Sequence, residues 1–312
     1  PMNQRTISIG VDIGARHVSC EALDLERGEM ITGSDSRLSL DSFADAETIL
    51  DTWSRALVST LSRIDREQLA GIGFAMPGPF DYRQGVSRMK HKYPRLDGSD
   101  IAAEMRRRTG IQADASVRFI TDAPAFAVGA AWLGKGSCCR KVVAVTLGTG
   151  LGSAFIDDGI PVVSGATVPE DGCLWTLPYG FGKADQFFTT RWFVKAHADR
   201  LGGDVSGARE VAELAESGDA AALAIFERFG ANLADFLAPW LRAFETEVLV
   251  MGGRITRAYR FFGPVLEEGL GREGQDLQIK LSEKKERLAM VGAARLADNG
   301  FWEKVSARLP AI

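Results

Sequence analysis

Apolar residues recur along the chain in two patterns: short unbroken runs, and longer stretches with helical spacing. Residues 5–40 predict the two strands of a hairpin and a third strand. Leu50, Trp53, Leu57 and Leu61 share one helical face, which predicts a helix over 41–61. Residues 69–76 form a buried strand, stopped at Pro77-Gly78-Pro79, where two prolines fix backbone angles and withhold donors. A helix over 99–109, capped by Ser99, precedes a strand over 117–122 and an alanine-rich helix ending near Leu133. A strand–turn–strand unit occupies 141–163, and 164–179 is irregular and rich in Gly and Pro. Further helices are predicted over 185–201, 205–216, 220–244, 259–270 and 288–297, with strands over 247–253 and 277–281. Phe188, Trp192 and Phe193 read as core.

The central unit carries its polar signal in one place. Between two apolar runs stands Gly148-Thr149-Gly150-Leu151-Gly152, and Asp157-Asp158-Gly159 turns the chain again. Glycines there let backbone N–H groups approach a ligand with no side chain in the way, and Thr149 adds a hydroxyl. A dinucleotide-binding turn would read G-x-G-x-x-G and open a helix, whereas here a strand follows. A P-loop would continue into Gly-Lys-Ser/Thr, and this turn does not. A glycine hairpin without a ligand stays open on these residues alone. Near the start, Asp12-Ile13-Gly14-Ala15-Arg16 joins two apolar strands in the same plan, so the two halves of the chain open alike. Two such hairpins could hold one polyphosphate. Asp122, at a strand-to-helix junction with Pro124 just beyond, suits an N-cap and suits catalysis equally.

Composition narrows the classes. A chain of 312 residues suits two domains, and 46% hydrophobic with 25% charged residues is ordinary for a globular protein. The net charge of −4 argues against nucleic acid as the main partner. The run Arg106-Arg107-Arg108 reads as a helix end stopped by Gly110. Cys20, Cys138, Cys139 and Cys173 lack metal-ligand spacing, no secretory segment or membrane-length apolar run is present, and a cytoplasmic location is expected. Pro1 ahead of Met2 is set aside as a remnant of expression. His17, His91 and His197 are scattered without a Ser or Cys motif, which disfavours a hydrolase triad. His91 reads as a surface residue.

Together, two glycine hairpins, Pro-Gly-Pro, an aspartate after a sheet strand, Gly252-Gly253 and the small-residue helix around Val291-Gly292-Ala293-Ala294 resemble the ROK family over essentially the whole chain. The resemblance implies an α/β, two-domain actin-like ATPase (ribonuclease H-like) fold with a central interdomain cleft. The domains would be 1–121 with 298–312, and 122–297. It implies an ATP-dependent carbohydrate kinase, glucokinase-like, acting on a sugar or sugar-like hydroxyl compound with ATP and Mg²⁺. Asp122 falls on the family's catalytic aspartate. Asp12, Gly14, Ala15 and Arg16 fall on its first phosphate motif, with Arg16 in place of threonine and Asp12 reaching the metal through water. Gly148, Thr149, Gly150 and Gly152 fall on the second, which is intact, and Gly252 and Gly253 on the adenosine motif.

The sugar side departs further. Pro77, Gly78, Thr121, Glu170, Cys173 and, by a loose alignment, Asp185 fall at sugar-contacting positions, where Thr121 replaces asparagine and Cys173 replaces a histidine that touches sugar and zinc. These departures motivate an alternative, a catalytically degenerate sugar or nucleotide sensor. No room for a helix-turn-helix domain precedes the first strand, so a sugar, rather than nucleic acid or membrane, is the expected partner, with a homodimer left open. Arg16 is expected to place positive charge near the phosphates or to turn outward. The segment Pro178-Tyr179-Gly180-Phe181-Gly182-Lys183 lacks the family's zinc cysteines, and a closed structural zinc site needs four protein ligands. Elemental analysis of chelator-free protein is therefore expected to find no stoichiometric zinc; one zinc per chain would overturn the alignment of residues 170–185.

Overall fold

The computed structural model describes residues 5–271, 277–282 and 284–309. The chain divides into two compact units. Residues up to Gly134 join those from Glu286 on, and Lys135–Lys285 forms the second unit.

In the first unit a six-stranded sheet is built from β1 (Ile7–Ile13), β2 (His17–Asp24), β3 (Glu29–Met30), β4 (Ser36–Ser39), β5 (Leu69–Met76) and, after the small hairpin β6 (Phe80–Asp81) and β7 (Val86–Ser87), β8 (Ser116–Thr121). The order is β3-β2-β1-β5-β8, with β4 also paired to β2. β1 and β2 are antiparallel, while β1, β5 and β8 run parallel. Helices α1 (Ala46–Leu61), α2 (Ile101–Thr109) and α3 (Asp122–Trp132) belong to this unit. The second sheet repeats the plan with β9 (Lys141–Leu147), β10 (Leu151–Asp157) and β11 (Ile160–Val162). After the hairpin β12 (Pro178–Tyr179) and β13 (Gly182–Lys183) come α4 (Ala184–Phe187), α5 (Thr190–Leu201), α6 (Ala208–Glu216) and α7 (Ala220–Ala243). Then follow β14 (Val248–Gly252), α8 (Tyr259–Gly271) and β15 (Gln278–Ser282). Its order, β11-β10-β9-β14-β15, and its directions match those of the first sheet strand for strand, as the paired glycine hairpins imply. Helices α9 (Lys285–Arg295) and α10 (Asn299–Val305) complete the chain's elements.

Several predicted ends shift for local reasons. α1 begins at Ala46 because the Asp45 carboxylate accepts the N–H of Thr48 at 2.9 Å, leaving 41–45 outside the helix. α2 is capped by Asp100, which accepts from Ala103 at 2.8 Å, not by Ser99. The predicted helix over 185–201 is two helices, broken at Thr189, where the backbone is extended. α10, capped by Asp298, lies beyond the predicted end at 297.

The unit boundaries also differ from the predicted 1–121 with 298–312. The chain leaves the first unit after Gly134 and returns at Glu286, so α3 and almost all of α9 belong to it. The cause is close packing. A Cβ on Gly129 would lie 1.9 Å from the Leu288 carbonyl oxygen, and one on Gly292 would lie 1.9 Å from that of Ala125. Each strand hairpin packs its own core: Val11, Trp53, Leu57 and Phe74 in the first unit, Val145, Phe188, Phe193 and Phe229 in the second. Trp192 packs on the latter from a half-buried position. No described helix is long and apolar enough to cross a membrane.

Because no real Cβ sits 1.9 Å from an oxygen, Gly292→Ala must push α3 and α9 apart. The expected cost is about 1–3 kcal/mol, read as a lower unfolding midpoint. Gly271→Ala, whose Cβ meets nothing within 4 Å, is the control expected to show no such fall.

Candidate active site

Parallel strands end on one edge of a sheet, and that edge is where open α/β sheets collect ligand-binding loops. In the first unit the register pairs Asp12 with Ala75 and Met76 with Thr121. The edge therefore gathers Asp12 and the Gly14-Ala15-Arg16 turn after β1, Pro77-Gly78 after β5, and Thr121-Asp122 after β8. Pro77 is buried and Gly78 exposed. Tyr82 anchors that turn by donating its hydroxyl to the Met76 carbonyl at 2.9 Å. Asp122 is the first residue of α3, half-buried; the N-cap position is Thr121, which makes no side-chain cap hydrogen bond.

The Gly14 turn is held by two contacts. Gly14 N–H donates to the His17 carbonyl at 3.0 Å, and the buried Tyr93 hydroxyl donates to the Gly14 carbonyl. A Cβ on Gly14 would lie 2.6 Å from the His17 ring, so any larger residue there would displace the imidazole. Burial pushes the Tyr93 hydroxyl well above the usual phenol range, which keeps it a donor at neutral pH. Ala15 and Arg16 are exposed, and Arg16 makes no ion pair with any described residue.

Sequence reasoning gave no role to His17 and missed Glu286. The His17 Nε2 atom is 3.7 Å from Asp12 and in ion-pair contact with Glu286, whose other oxygen meets Arg37. Asp12 and Glu286 together hold the imidazole up at about 9, with Asp12 the larger influence. The imidazolium and Arg37 in turn hold Glu286 down at about 2. Two carboxylates and two cations thus balance at the end of β1. One ligand atom from each of Asp12, His17 and Glu286 lies within 4.8 Å of the others. His17 directly follows the first phosphate motif and could have been noticed from that. Glu286 comes from α9, and nothing local in the sequence points to it.

In the second unit Gly252 pairs in register with Thr146, so the Gly148-Thr149-Gly150 turn after β9 and the Gly252-Gly253 step after β14 share one edge. Gly253 has φ 100°, and a Cβ there would lie 2.3 Å from the Leu147 carbonyl oxygen, so only glycine fits. Gly152 lies within β10 opposite Thr146. The N–H groups of Thr149 and Gly150 donate to no described residue, and both residues are exposed. Thr190 donates its N–H, at 2.8 Å, and its hydroxyl, at 3.1 Å, to the Gly148 carbonyl.

Glu170 is exposed at the start of a 3₁₀ turn, Glu170–Gly172, in which Asp171 takes φ 55°. Ser153 fastens this loop by donating to the Gly172 carbonyl at 2.6 Å and accepting from Leu174 N–H at 2.8 Å. Cys173 is half-buried, and burial pushes its thiol up, away from thiolate reactivity. Asp185, the loosely aligned sugar-contact candidate, has both carboxylate oxygens engaged by protein groups. Its Oδ1 accepts Leu151 N–H at 2.8 Å and its Oδ2 pairs with Arg191.

A sequence model of the ROK family matches residues 8–175 and 187–299. Among curated relatives, the chain is 28% identical over 287 residues to the glucokinase of Thermotoga maritima, covering 83% of this chain and 86% of that one. It is 23% identical over 313 residues to the N-acetyl-D-glucosamine kinase of Haemophilus influenzae, covering 92% and 98%. Among solved structures, the ROK hexokinase of Thermus thermophilus matches with a TM-score of 0.77 at 21% identity, covering 95% of this chain and 99% of that one. The ROK glucokinase of Streptomyces griseus, solved with glucose and AMPPNP, matches at 0.71 and 21% identity, covering 94% and 100%.

The His17–Glu286 pair makes stability depend on pH. The His17 value is raised from 6.5, so its contribution is complete below about pH 6.5 and is lost as pH rises through about 9. The Glu286 value is lowered from 4.5, so its contribution is complete above about pH 4.5 and is lost as pH falls through about 2. The pair is partly exposed, which keeps the effect modest. Glu286→Gln is expected to lower the His17 midpoint partway from about 9, with Asp12 keeping it above 6.5, in an NMR titration of the imidazole; a midpoint still near 9 would assign the whole shift to Asp12.

Proposed function

Because the chain belongs to the ROK family and has its actin-like ATPase fold, we propose that it transfers the γ-phosphoryl group of ATP to a hydroxyl of a sugar or sugar-like compound. The observation that carries this reading is the glycine turn of the second unit. It is intact, it is tied at both ends, and its central N–H groups meet no acceptor among the described residues. Such donors suit a phosphate chain, and they stabilise the charge that spreads over the transferred group. The glucokinase and N-acetyl-D-glucosamine kinase names of the relatives support a hexose or N-acetylated amino-sugar acceptor.

Within this reading Asp122 is the general base toward the acceptor hydroxyl. It stands where β8 gives way to α3, on the sheet edge that also gathers Asp12 and the Gly14 turn. The Gly14 turn, held by Tyr93, and the Gly148–Gly150 turn bind phosphate through backbone amides, and Gly252-Gly253 leaves room for the adenosine. Glu170 hydrogen-bonds a sugar hydroxyl from its exposed loop.

Magnesium fits Asp12 as a hard oxygen donor acting through water. The imidazolium of His17 opposes direct coordination by the same carboxylates, and Mg²⁺ keeps several waters in any case. When bound with the nucleotide, the ion would neutralise charge on the phosphates. The alternative, a sensor without turnover, rests on Arg16, Thr121 and Cys173. A coupled ADP-release assay over hexoses, N-acetylhexosamines and polyols separates the two: tight ATP or sugar binding with no turnover on any acceptor supports the sensor.

Asp122→Asn is the decisive variant. Asparagine can accept a hydrogen bond but cannot take a proton at neutral pH. The expected result is unchanged melting, near-normal ATP binding, and a fall in kcat of roughly 10²–10⁴-fold. Turnover within a few-fold of the parent would move the proton acceptor elsewhere, with Glu170 next in line.

A further inference from the structure

Asp185 falls in the sequence at the place of an acidic sugar contact, yet both of its oxygens are engaged elsewhere. Oδ1 accepts the N–H of Leu151, the residue on which the glycine turn re-enters β10, at 2.8 Å. Oδ2 meets the guanidinium of Arg191. On the other limb of the turn, the Gly148 carbonyl receives both the N–H and the hydroxyl of Thr190. One short segment, 185–190, therefore grips both limbs of the turn. That segment is itself fixed: Thr189 hydroxyl donates to the Asp185 carbonyl at 2.7 Å, and Asp185 N–H donates to the Trp175 carbonyl at 3.2 Å. We propose that Asp185 is a positioning residue for the nucleotide's phosphates, holding the glycine turn in its binding shape, and not a contact to the acceptor sugar. The proposal rests on the kinase reading above.

Three physical arguments support it. A turn of two glycines and a threonine loses much backbone freedom on ordering, so its amides bind an anion well only if something else has already ordered them. The ties fall on Gly148 and Leu151, which leaves the N–H groups of Thr149 and Gly150 between them with no acceptor among the described residues. The carboxylate lies close to the turn, with a Cβ on Gly150 only 3.7 Å from Asp185 Oδ1, and an unpaired negative charge so near would repel an anion bound there. Arg191 answers this by pairing with the same carboxylate, so that the turn's surroundings are not left net negative.

The test compares Asp185→Ala and Asp185→Asn with the parent protein. The measurements are calorimetric affinity for a non-hydrolysable ATP analogue, KM for ATP and for whichever sugar the parent phosphorylates, and hydrogen exchange over residues 148–152. Asp185→Ala is expected to weaken nucleotide binding roughly 10- to 100-fold, by loss of one charge-assisted hydrogen bond. Its sugar KM should stay within about twofold, and exchange at the Leu151 amide should rise at least about tenfold. Asp185→Asn keeps an oxygen acceptor for Leu151 and should recover most of both effects, which also separates the result from simple misfolding. A raised sugar KM with unchanged nucleotide affinity would make Asp185 the sugar contact and overturn the proposal. So would a parent protein that binds the ATP analogue and variants that bind it equally. A parent protein that binds no ATP analogue would overturn the kinase reading itself, and the proposal with it.

Discussion

The first unit depends on a helix lying directly on a sheet with no side chain between them. A Cβ on Gly10 would sit 2.0 Å from the Met290 carbonyl oxygen, and one on Gly73 would sit 1.7 Å from that of Ala293. Two adjacent parallel strands, β1 and β5, thus each present a bare backbone to α9. The same closeness recurs between α9 and α3 at Gly129 and Gly292. With the axis of α9 fixed this tightly, its first turn has one place to go, and Glu286 arrives beside His17 and Asp12. The charge balance at the end of β1 is therefore a product of four glycines, none of which touches it.

The two halves share a strand order but fasten their glycine turns differently. In the first unit a buried phenol, Tyr93, reaches the Gly14 carbonyl, braced edge-on by Trp53 with ring centroids 5.0 Å apart. In the second, a carboxylate and a helix-opening threonine hold Leu151 and Gly148. The first tie is neutral and sealed in the core. The second is ionic and half-exposed, and so more open to solvent and salt. The two halves share a backbone plan and secure it with different chemistry.

What the sequence makes legible follows from range. The hairpins, the buried strand ending at Met76 and the small-residue helix can be read because apolar runs and glycines state local backbone needs directly. Asp122 and the turn at Gly148 can be read for the same reason: each is the tip of an element. The start of α1 is placed a few residues early and the cap of α2 one residue early, because several polar residues in a row could each serve and only the fold selects one. Glu286 and Tyr93 are invisible because their partners lie far away in the chain, at His17 and Gly14. Asp185 is the instructive case. Its position in the sequence suits a sugar contact, while its carboxylate accepts the Leu151 N–H, a pairing 34 residues apart that no local pattern announces.

The return of the chain to the first unit at Glu286 governs how the molecule can be made. On a ribosome, residues up to Gly134 emerge with β1, β5 and α3 but without α9, so Gly10, Gly73 and Gly129 have nothing to close upon. The second unit, by contrast, is one continuous stretch and has all its strands once Ser282 has emerged. At a synthesis rate of about 5–20 residues per second, the leading segment must wait for seconds with an open face while its successor is completed. The half made first is then the half finished last, and its exposed strands are where a chaperone would find work.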